Sequence, residues 1–425
     1  MAVSDRPGPG PLTGLRVVDL STVLAGPFCT MLLGDLGADI VKVEPPEGDA
    51  TRGWGPPWVG SVPEGTRTAA YYLSVNRNKR SLCLDLKQAA GREVLARLLG
   101  DADVVVENYR VGGFARLGFP DDELERINPR LIHLAISGYG PTGPDRDRPG
   151  YDFIAQAVGG LMSITGGPAE AGGGPTKVGV AISDVATGLF GAVSVLAALV
   201  GPRRDVSAAA GGVGRDGVAG QRIDVSLLES TLAILVNQAQ NAFVSGRAPG
   251  RRGNAHPNIV PYETFETVDG AIAVAVGSER QWGRLCTALG LPALADDPRF
   301  ATNGDRVEAR DELVPTLAAR FAERPTADWL VALDAAGIPC GPINDIVDAY
   351  GSAQAKARGM RVSVAHPVLG EIAQTGLAFT LSGTPASIRS APPLLGEHTD
   401  DILIEVGLDA EAIAGLRAGG VIPPS

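Results

Sequence analysis

The sequence predicts an α/β fold in which a parallel sheet carries helices on both faces, joined to a smaller α+β unit. Three observations lead there. Up to Ser137, short apolar runs alternate with helical patterns, and strands linked by helices pair in parallel because each helix carries the chain back over the sheet. From Thr264 to Val276 the pattern changes to two alternating strands joined at Val268-Asp269-Gly270, a hairpin turn followed by helices. The 425 residues exceed the size at which one core usually keeps growing, so two domains are expected.

The elements follow in order. Leu15–Leu20 is an apolar strand after a Pro/Gly-rich lead, Pro27–Leu36 a helix with Pro near its first turn, and Asp39–Val43 the next strand. The unit repeats as strand Ser81–Leu86, helix Ala89–Leu99 and strand Asp103–Glu107, then as helix Asp121–Ile127 and strand Leu131–Ser137. Val185–Val200 places Leu189, Val193, Leu196 and Leu199 at helical spacing. Gly201–Gly220, rich in Gly and Ala, reads as a flexible surface loop. Strand Gln221–Val225 and an apolar helix over Leu227–Ala242 precede RAPGRRGNAHPN, a second polar loop. Helices are expected over 281–289, 310–322 and 327–336, strands within Val362–Phe379, and an acidic amphipathic helix after PPLLGEHTDDIL begins.

Composition narrows the function. A net charge of −11 argues against nucleic acid or an anionic membrane as a bulk partner, so an anionic ligand must meet local Lys and Arg. Cys29, Cys83, Cys286 and Cys340 are far apart with no CxxC pair, which fits a reduced, cytoplasmic protein and neither a disulfide nor a zinc framework. No signal pattern opens the chain, and no apolar run reads as long enough to span a bilayer. GxGxxG, GxxxxGK[ST], HExxH and GxSxG are all absent, and the four histidines are dispersed. Nicotinamide, nucleoside-triphosphate, metal-hydrolase and serine-hydrolase chemistry are disfavoured, and no metal is expected.

In a parallel sheet the ligand lies beyond the carboxyl ends of the strands. The loops there contain Arg52, Trp54, Lys87, Arg110, Arg116 and Tyr151, cations for phosphates and aromatic faces for a base. Each cation taken singly is equally well explained as a solvated surface charge. The stretch KVGVAISDVATGL sets one carboxylate, Asp184, between an extended run and a helix. Helix capping is the commoner role for an Asp so placed, but a carboxylate at a helix N-terminus is expected to stay ionised, which covalent catalysis by Asp requires.

The chain resembles the family III CoA-transferases, the group of formyl-CoA transferase, carnitine CoA-transferase and the α-methylacyl-CoA racemases. The resemblance runs from Leu12 to Ile422 and rests on LTGLRVVDLSTVLAGPFCTMLLGDLGADIVKVEPPEGDATRGW, NRNKRSLCLDLK, VENYRVGGFARLGF, ISGYGPTGP, GYDFIAQAVGGLM, VAISDVATGLFG, GIPCGPIND and PLLGEHTD. NRNKRS, VAISDVATG and AHPNIVPYETF resemble the dicarboxylate members, succinate–hydroxymethylglutarate CoA-transferase above all. The resemblance implies that Asp184 is the nucleophile, carrying an acyl-aspartyl anhydride and then an aspartyl-CoA thioester. It implies coenzyme contacts at Leu24, Ala25, Leu84, Asp85, Leu86, Lys87, Asn108, Tyr109, Arg110, Arg116, Gly150, Tyr151 and Asp152. CoA and acyl-CoA are substrates, a small carboxylic acid is the acceptor, and no tightly bound cofactor is implied.

The implied fold is a Rossmann-like large domain from both chain ends, with a small domain between and two ring-shaped protomers interlocked as a homodimer. The boundaries are 1–220 for the coenzyme-binding part, 221–335 for the small domain and 336–425 for the return. Two departures stand out. Pro45 replaces an arginine of formyl-CoA transferase, leaving Lys42 or Arg116 to meet the adenosine phosphates, and Gly253-Asn254-Ala255-His256 stands where that enzyme has a tetraglycine lid. Arg251, Arg252, His256 and Arg280 are candidates for the far carboxylate of a dicarboxylic acid. A racemase would place a histidine where this chain has Tyr151, although Glu279 sits where racemases also carry an acid. A non-catalytic acyl-CoA-binding protein is the alternative from another class.

Overall fold

The computed structural model describes residues 10–62, 64–201 and 220–424. Almost all of the expected loop over 201–220 lies outside the described residues. The first strand, β1 (Arg16–Asp19), leads to helix α1 (Ala25–Asp35) and β2 (Asp39–Glu44). After a long excursion come β3 (Lys79–Cys83), α2 (Ala89–Asp101), β4 (Val104–Glu107), α3 (Asp121–Ile127) and β5 (Ile132–Ser137). Helices α4 (Asp152–Val158) and α5 (Ile182–Val200) follow, then β6 (Gln221–Ser226). The six strands form one sheet in the order β3-β2-β1-β4-β5-β6, every pair parallel. That is the Rossmann order, and its direction reverses between β1 and β4.

The strands read as near-continuous apolar runs because both faces are covered. Val17, Ile40, Val104 and Val106 face α1 and α5, packing with Cys29, Leu33, Val195 and Ala198. Val18, Val41 and Val105 face the other way, against Leu95 and Leu98 of α2 and against Ile402 and Ile413. The last two belong to α11 (Thr399–Glu405) and α12 (Ala410–Ala418), so the end of the chain completes the core begun by its start.

Contacts divide the described residues into two units. The larger draws on Met1–Leu161, Val178–Gln240 and Ala353–Ser425, the smaller on Met162–Lys177 and Asn241–Ser352. Strand 221–226, which the sequence reading set at the start of the small domain, is the sixth strand of the large sheet, because its Ile132 to Ser137 neighbour lacks another partner on that edge. The apolar stretch after it does not form one helix: α6 (Leu227–Ala233) and α7 (Val236–Ser245) are separated at Ile234–Leu235, where Val236 takes φ +35°.

The smaller unit holds an antiparallel sheet of β7 (Tyr262–Glu266), β8 (Ala271–Ala275) and β9 (Cys340–Pro342). Helices α8 (Glu279–Leu289), α9 (Arg310–Phe321) and α10 (Thr326–Ala335) cover it around Trp282, Phe321 and Trp329. In the larger unit, β10 (Arg361–His366) and β11 (Gly370–Thr375) form a separate hairpin. The sequence suggests no apolar run long enough to span a bilayer, but α5, at 19 residues, is by length and composition apolar enough to cross one; the pattern misses it because Ser183, Asp184, Thr187 and Ser194 interrupt the run. Its small residues pack it against α1, and a Cβ on Gly188 would stand 2.7 Å from the Ala25 carbonyl oxygen.

Candidate active site

A cavity of about 240 Å³ opens at the carboxyl ends of β1, β4 and β5, where the strand order reverses. Thr22, Val23, Leu24 and Ala25 line it after β1, Asn108 to Val111 after β4, and Ile136 to Gly138 at the end of β5. The loop after β5 supplies Arg146, Arg148, Gly150 and Tyr151, and α5 supplies Asp184. The loop is drawn in tightly because Gly150 and Gly138 touch: a Cβ on Gly150 would stand 2.3 Å from the Gly138 Cα, so neither position admits a side chain.

Asp184 is not the cap of its helix. α5 begins at Ile182, and the cap comes from another element: Asp152 of α4 accepts the Ser183 N–H at 2.8 Å with one oxygen and the Gln156 amide at 2.8 Å with the other. Nor is Asp184 held ionised by the helix terminus, as expected from sequence. Half-buried, its carboxyl is pushed up to about 7, first by desolvation and then by Asp152. Tyr71 feels the same pair: its phenol is raised to about 12 by burial, then by Asp184, Asp152 and Asp49, and its ring meets Trp54 edge-on at 5.2 Å. No spacing in the sequence singles out Tyr71, which sits in a four-residue helix inside the long excursion between β2 and β3.

The cavity brings together Leu24, Ala25, Asn108, Tyr109, Arg110, Tyr151, Gly150 and Asp184 from the sequence-predicted set. Leu84, Asp85, Leu86 and Lys87 lie outside its lining, at the end of β3, two strands from β1. Leu84 is core, and Asp85 accepts the Lys87 N–H at 2.9 Å, leaving Lys87 exposed 4.0 Å from Glu47. Arg116 is exposed and folds back on the Val111 carbonyl at 3.4 Å. Asn108 is turned to Thr22: its amide oxygen accepts the Thr22 N–H at 2.9 Å and its NH₂ donates to the Thr22 carbonyl at 2.8 Å.

Two expected phosphate cations are spent inside the protein. Lys42 is buried, donating to the Ser21 carbonyl at 2.8 Å and to Asp49 at 3.0 Å. Arg52 pairs with Glu44 at 2.7 Å and donates to the Pro393 carbonyl at 3.1 Å. The cations at the cavity are instead Arg110, Arg146 and Arg148, all exposed. Arg148 lies over the Tyr139 ring at 5.1 Å and pairs with Asp145 at 3.2 Å. The alternating charges of PDRDRPG were the signal that could have marked Arg146 and Arg148.

Residues 12–399 match the family described as CoA-transferase family III. The chain belongs to that family. It is an enzyme of the family III class, and its relatives match along nearly their whole length. It is 43% identical over 421 residues to the succinyl-CoA:glutarate CoA-transferase of Mus musculus, covering 99% of this chain and 92% of that one. The succinate–glutarate CoA-transferase of Agrobacterium fabrum is 42% identical, with 93% and 96% covered. Among solved structures, a CaiB/BaiF family protein from Brucella suis superposes with a TM-score of 0.80 at 41% identity, over 94% of this chain and 100% of the other.

The family III lid candidates lie in the smaller unit. Gly253 takes φ +59° and donates its N–H to the Gly166 carbonyl at 3.0 Å, and Asn254 donates to Thr264 at 3.1 Å. His256 is tied at its backbone to Tyr262 and Arg310, its ring Nδ1 accepts the Asn258 N–H at 3.1 Å, and burial with Arg310 lowers its pKa. Glu279 is occupied by Arg306 at 2.6 Å and by the Asn303 N–H at 2.9 Å. Arg251 donates to the Gly167 and Gly173 carbonyls, closing the turn between them. Arg280 borders a separate groove on α8 and α10.

Proposed function

We propose that this family III enzyme moves CoA from succinyl-CoA, or another dicarboxylyl-CoA, to a free dicarboxylic acid, with Asp184 as the covalent carrier. The observation that carries the reading is a half-buried carboxyl, held up to about 7, in a cavity that also offers cations. A desolvated carboxylate is more basic and more nucleophilic than a solvated one, and above neutral pH it is ionised. The relatives named above act on succinyl-CoA or succinate and on glutarate, which supports the dicarboxylate class.

In this mechanism an Asp184 oxygen attacks the thioester carbonyl; the C–S bond breaks, leaving an acyl-aspartyl anhydride and CoA thiolate. The thiolate attacks the aspartyl carbonyl, forming aspartyl-CoA thioester and releasing the donor acid as its carboxylate. The acceptor carboxylate then attacks the aspartyl thioester, expelling thiolate, which finally attacks the acceptor's acyl carbon and frees Asp184. Each intermediate conserves an activated acyl bond, and the partly buried setting of Asp184 limits its loss to water.

Arg110, Arg146 and Arg148 take the coenzyme's phosphates in this reading. What moves Asp184 is its own burial and then Asp152, with no arginine among the causes, so these cations are left for the phosphates. A homodimer belongs to the same reading, supported by the apolar side chains that α5 leaves exposed, Leu189, Phe190 and Val193. Cytoplasmic placement is part of it, supported by four free cysteines among the described residues.

A racemase is the competing reading. Tyr151 in the cavity and the engagement of Glu279 by Arg306 weigh against it. A donor-by-acceptor screen starting with succinyl-CoA and glutarate, read by mass spectrometry of the CoA products, is expected to show acid-dependent exchange. Rapid α-deuteration of a chiral 2-methylacyl-CoA in deuterated water, with no acceptor acid, would replace the transferase with the racemase.

A further inference from the structure

Between β1 and the first turn of α1 the chain is held from three sides. The Ser21 N–H and hydroxyl both donate to Asp19, at 3.0 and 2.5 Å, and the Ser21 carbonyl accepts from buried Lys42. The next residue, Thr22, has both backbone groups taken by the single side chain of Asn108, which arrives from β4 across the point where the strand order reverses. Immediately after this pair of hydrogen bonds comes Val23, with φ +71°. A β-branched residue in the left-handed region is a genuine outlier, costly enough to persist only where its surroundings impose it. Among the described residues only Val23, Asn78 and Val236 combine a side chain with positive φ, and Val23 is the one that lines the cavity. The chain then enters α1, whose first turn no protein side chain caps.

We propose that Asn108 is a positioning residue: by reading the Thr22 backbone as a strand neighbour would, it forces Val23 into the left-handed conformation and so sets the Val23–Ala25 backbone against the reacting end of the acyl-CoA. In this proposal its amide acts through the backbone and not on the coenzyme, since its oxygen and its NH₂ each already bond Thr22. Without the clamp, Val23 relaxes toward extended backbone, and the wall of the cavity beside Asp184 moves with it. Lys42 and Asp19 fix the residue before the turn but leave Thr22 itself free to rotate, so they do not substitute for Asn108.

The inference rests on the transferase reading, and a double-mutant cycle with glycine at position 23 tests it separately. Glycine adopts φ +71° without strain, so the clamp matters less in its presence. Asn108→Ala is expected to lower kcat/KM for the acyl-CoA about tenfold or more in the native background, the size of one released strain of this kind. In the Val23→Gly background the same substitution is expected to cost about threefold or less. CoA affinity measured by calorimetry should follow the same pattern. An equal loss in both backgrounds would make Asn108 a direct ligand and overturn the proposal. Should Asn108→Ala fail to fold, Asn108→Asp, which keeps the acceptor for the Thr22 N–H but not the donor, carries the same cycle. Absence of any exchange by the unsubstituted enzyme, with any donor, would instead sink the transferase reading.

Discussion

Asp19 and Asp184 both belong to the larger unit, one at the end of β1 and one in the first turn of α5, and they titrate in opposite directions. Asp19 has no exposed surface at all, yet it is held at about 2: burial pushes it up, and Lys79 and Lys42, with the hydroxyls of Ser21 and Thr30, more than reverse that. Asp184 is less buried and rises to about 7, first because no cation offsets its desolvation and then because it shares its surroundings with Asp152. Depth alone does not set a carboxyl's charge; the company it keeps does. The first arrangement is scaffold, since a paired buried ion is satisfied and inert. The second leaves reactivity unspent, and it is in the cavity.

The sharpest way to break this contrast is to exchange the side chains for neutral ones. Asp184→Asn is expected to reduce exchange by about 1,000-fold or more while leaving a folded protein, because a covalent carrier has no substitute. Asp19→Asn is expected to do the reverse kind of damage. It removes the ion-pair partner of buried Lys79, while Lys42 keeps Asp49, a loss of about 3–5 kcal/mol in denaturant unfolding.

That difference also marks what was legible in the sequence. The strands were, since Val17–Val18 and Val104–Val106 are apolar on both faces, and so was Asp184, standing at the junction of an extended run and a helix. The fate of the charged side chains was not. Lys42, Arg52 and Lys79 look like surface cations in one dimension, and only the sheet brings their partners Asp49, Glu44 and Asp19 within 3.0 Å. The cap of α5 was equally hidden, because Asp152 lies 31 residues before the Ser183 N–H it accepts. Arg146 and Arg148 were overlooked because a loop of alternating charge resembles any solvated turn.

Smaller effects refine the comparison. Replacing Arg146 and Arg148 together with Ala is expected to raise KM for the acyl-CoA about tenfold with a lesser change in kcat, as lost charge-assisted hydrogen bonds to phosphates would. Donor-side kcat/KM should rise with pH through about 7 as Asp184 ionises, and Asp152→Asn should move that arm toward acid by removing the like charge.

The two carboxyls also predict opposite stability profiles. Asp184 binds its proton more tightly folded than unfolded, so it costs stability as pH rises from 3.8 to about 7, and Asp184→Asn should raise Tm above pH 7 but not below pH 3.8. Asp19, with its folded pKa depressed, contributes stability that is complete above 3.8 and lost as pH falls through about 2.

The central claim is that the Asp184 carboxyl carries the acyl group and the coenzyme in turn. Hydroxylamine added during turnover with succinyl-CoA captures an activated aspartyl carbonyl as its hydroxamate, and peptide mass spectrometry locates it. The account predicts a donor-dependent hydroxamate at Asp184 that disappears in Asp184→Asn. Sustained exchange with that position unmodified, or with the label on another residue, would contradict it.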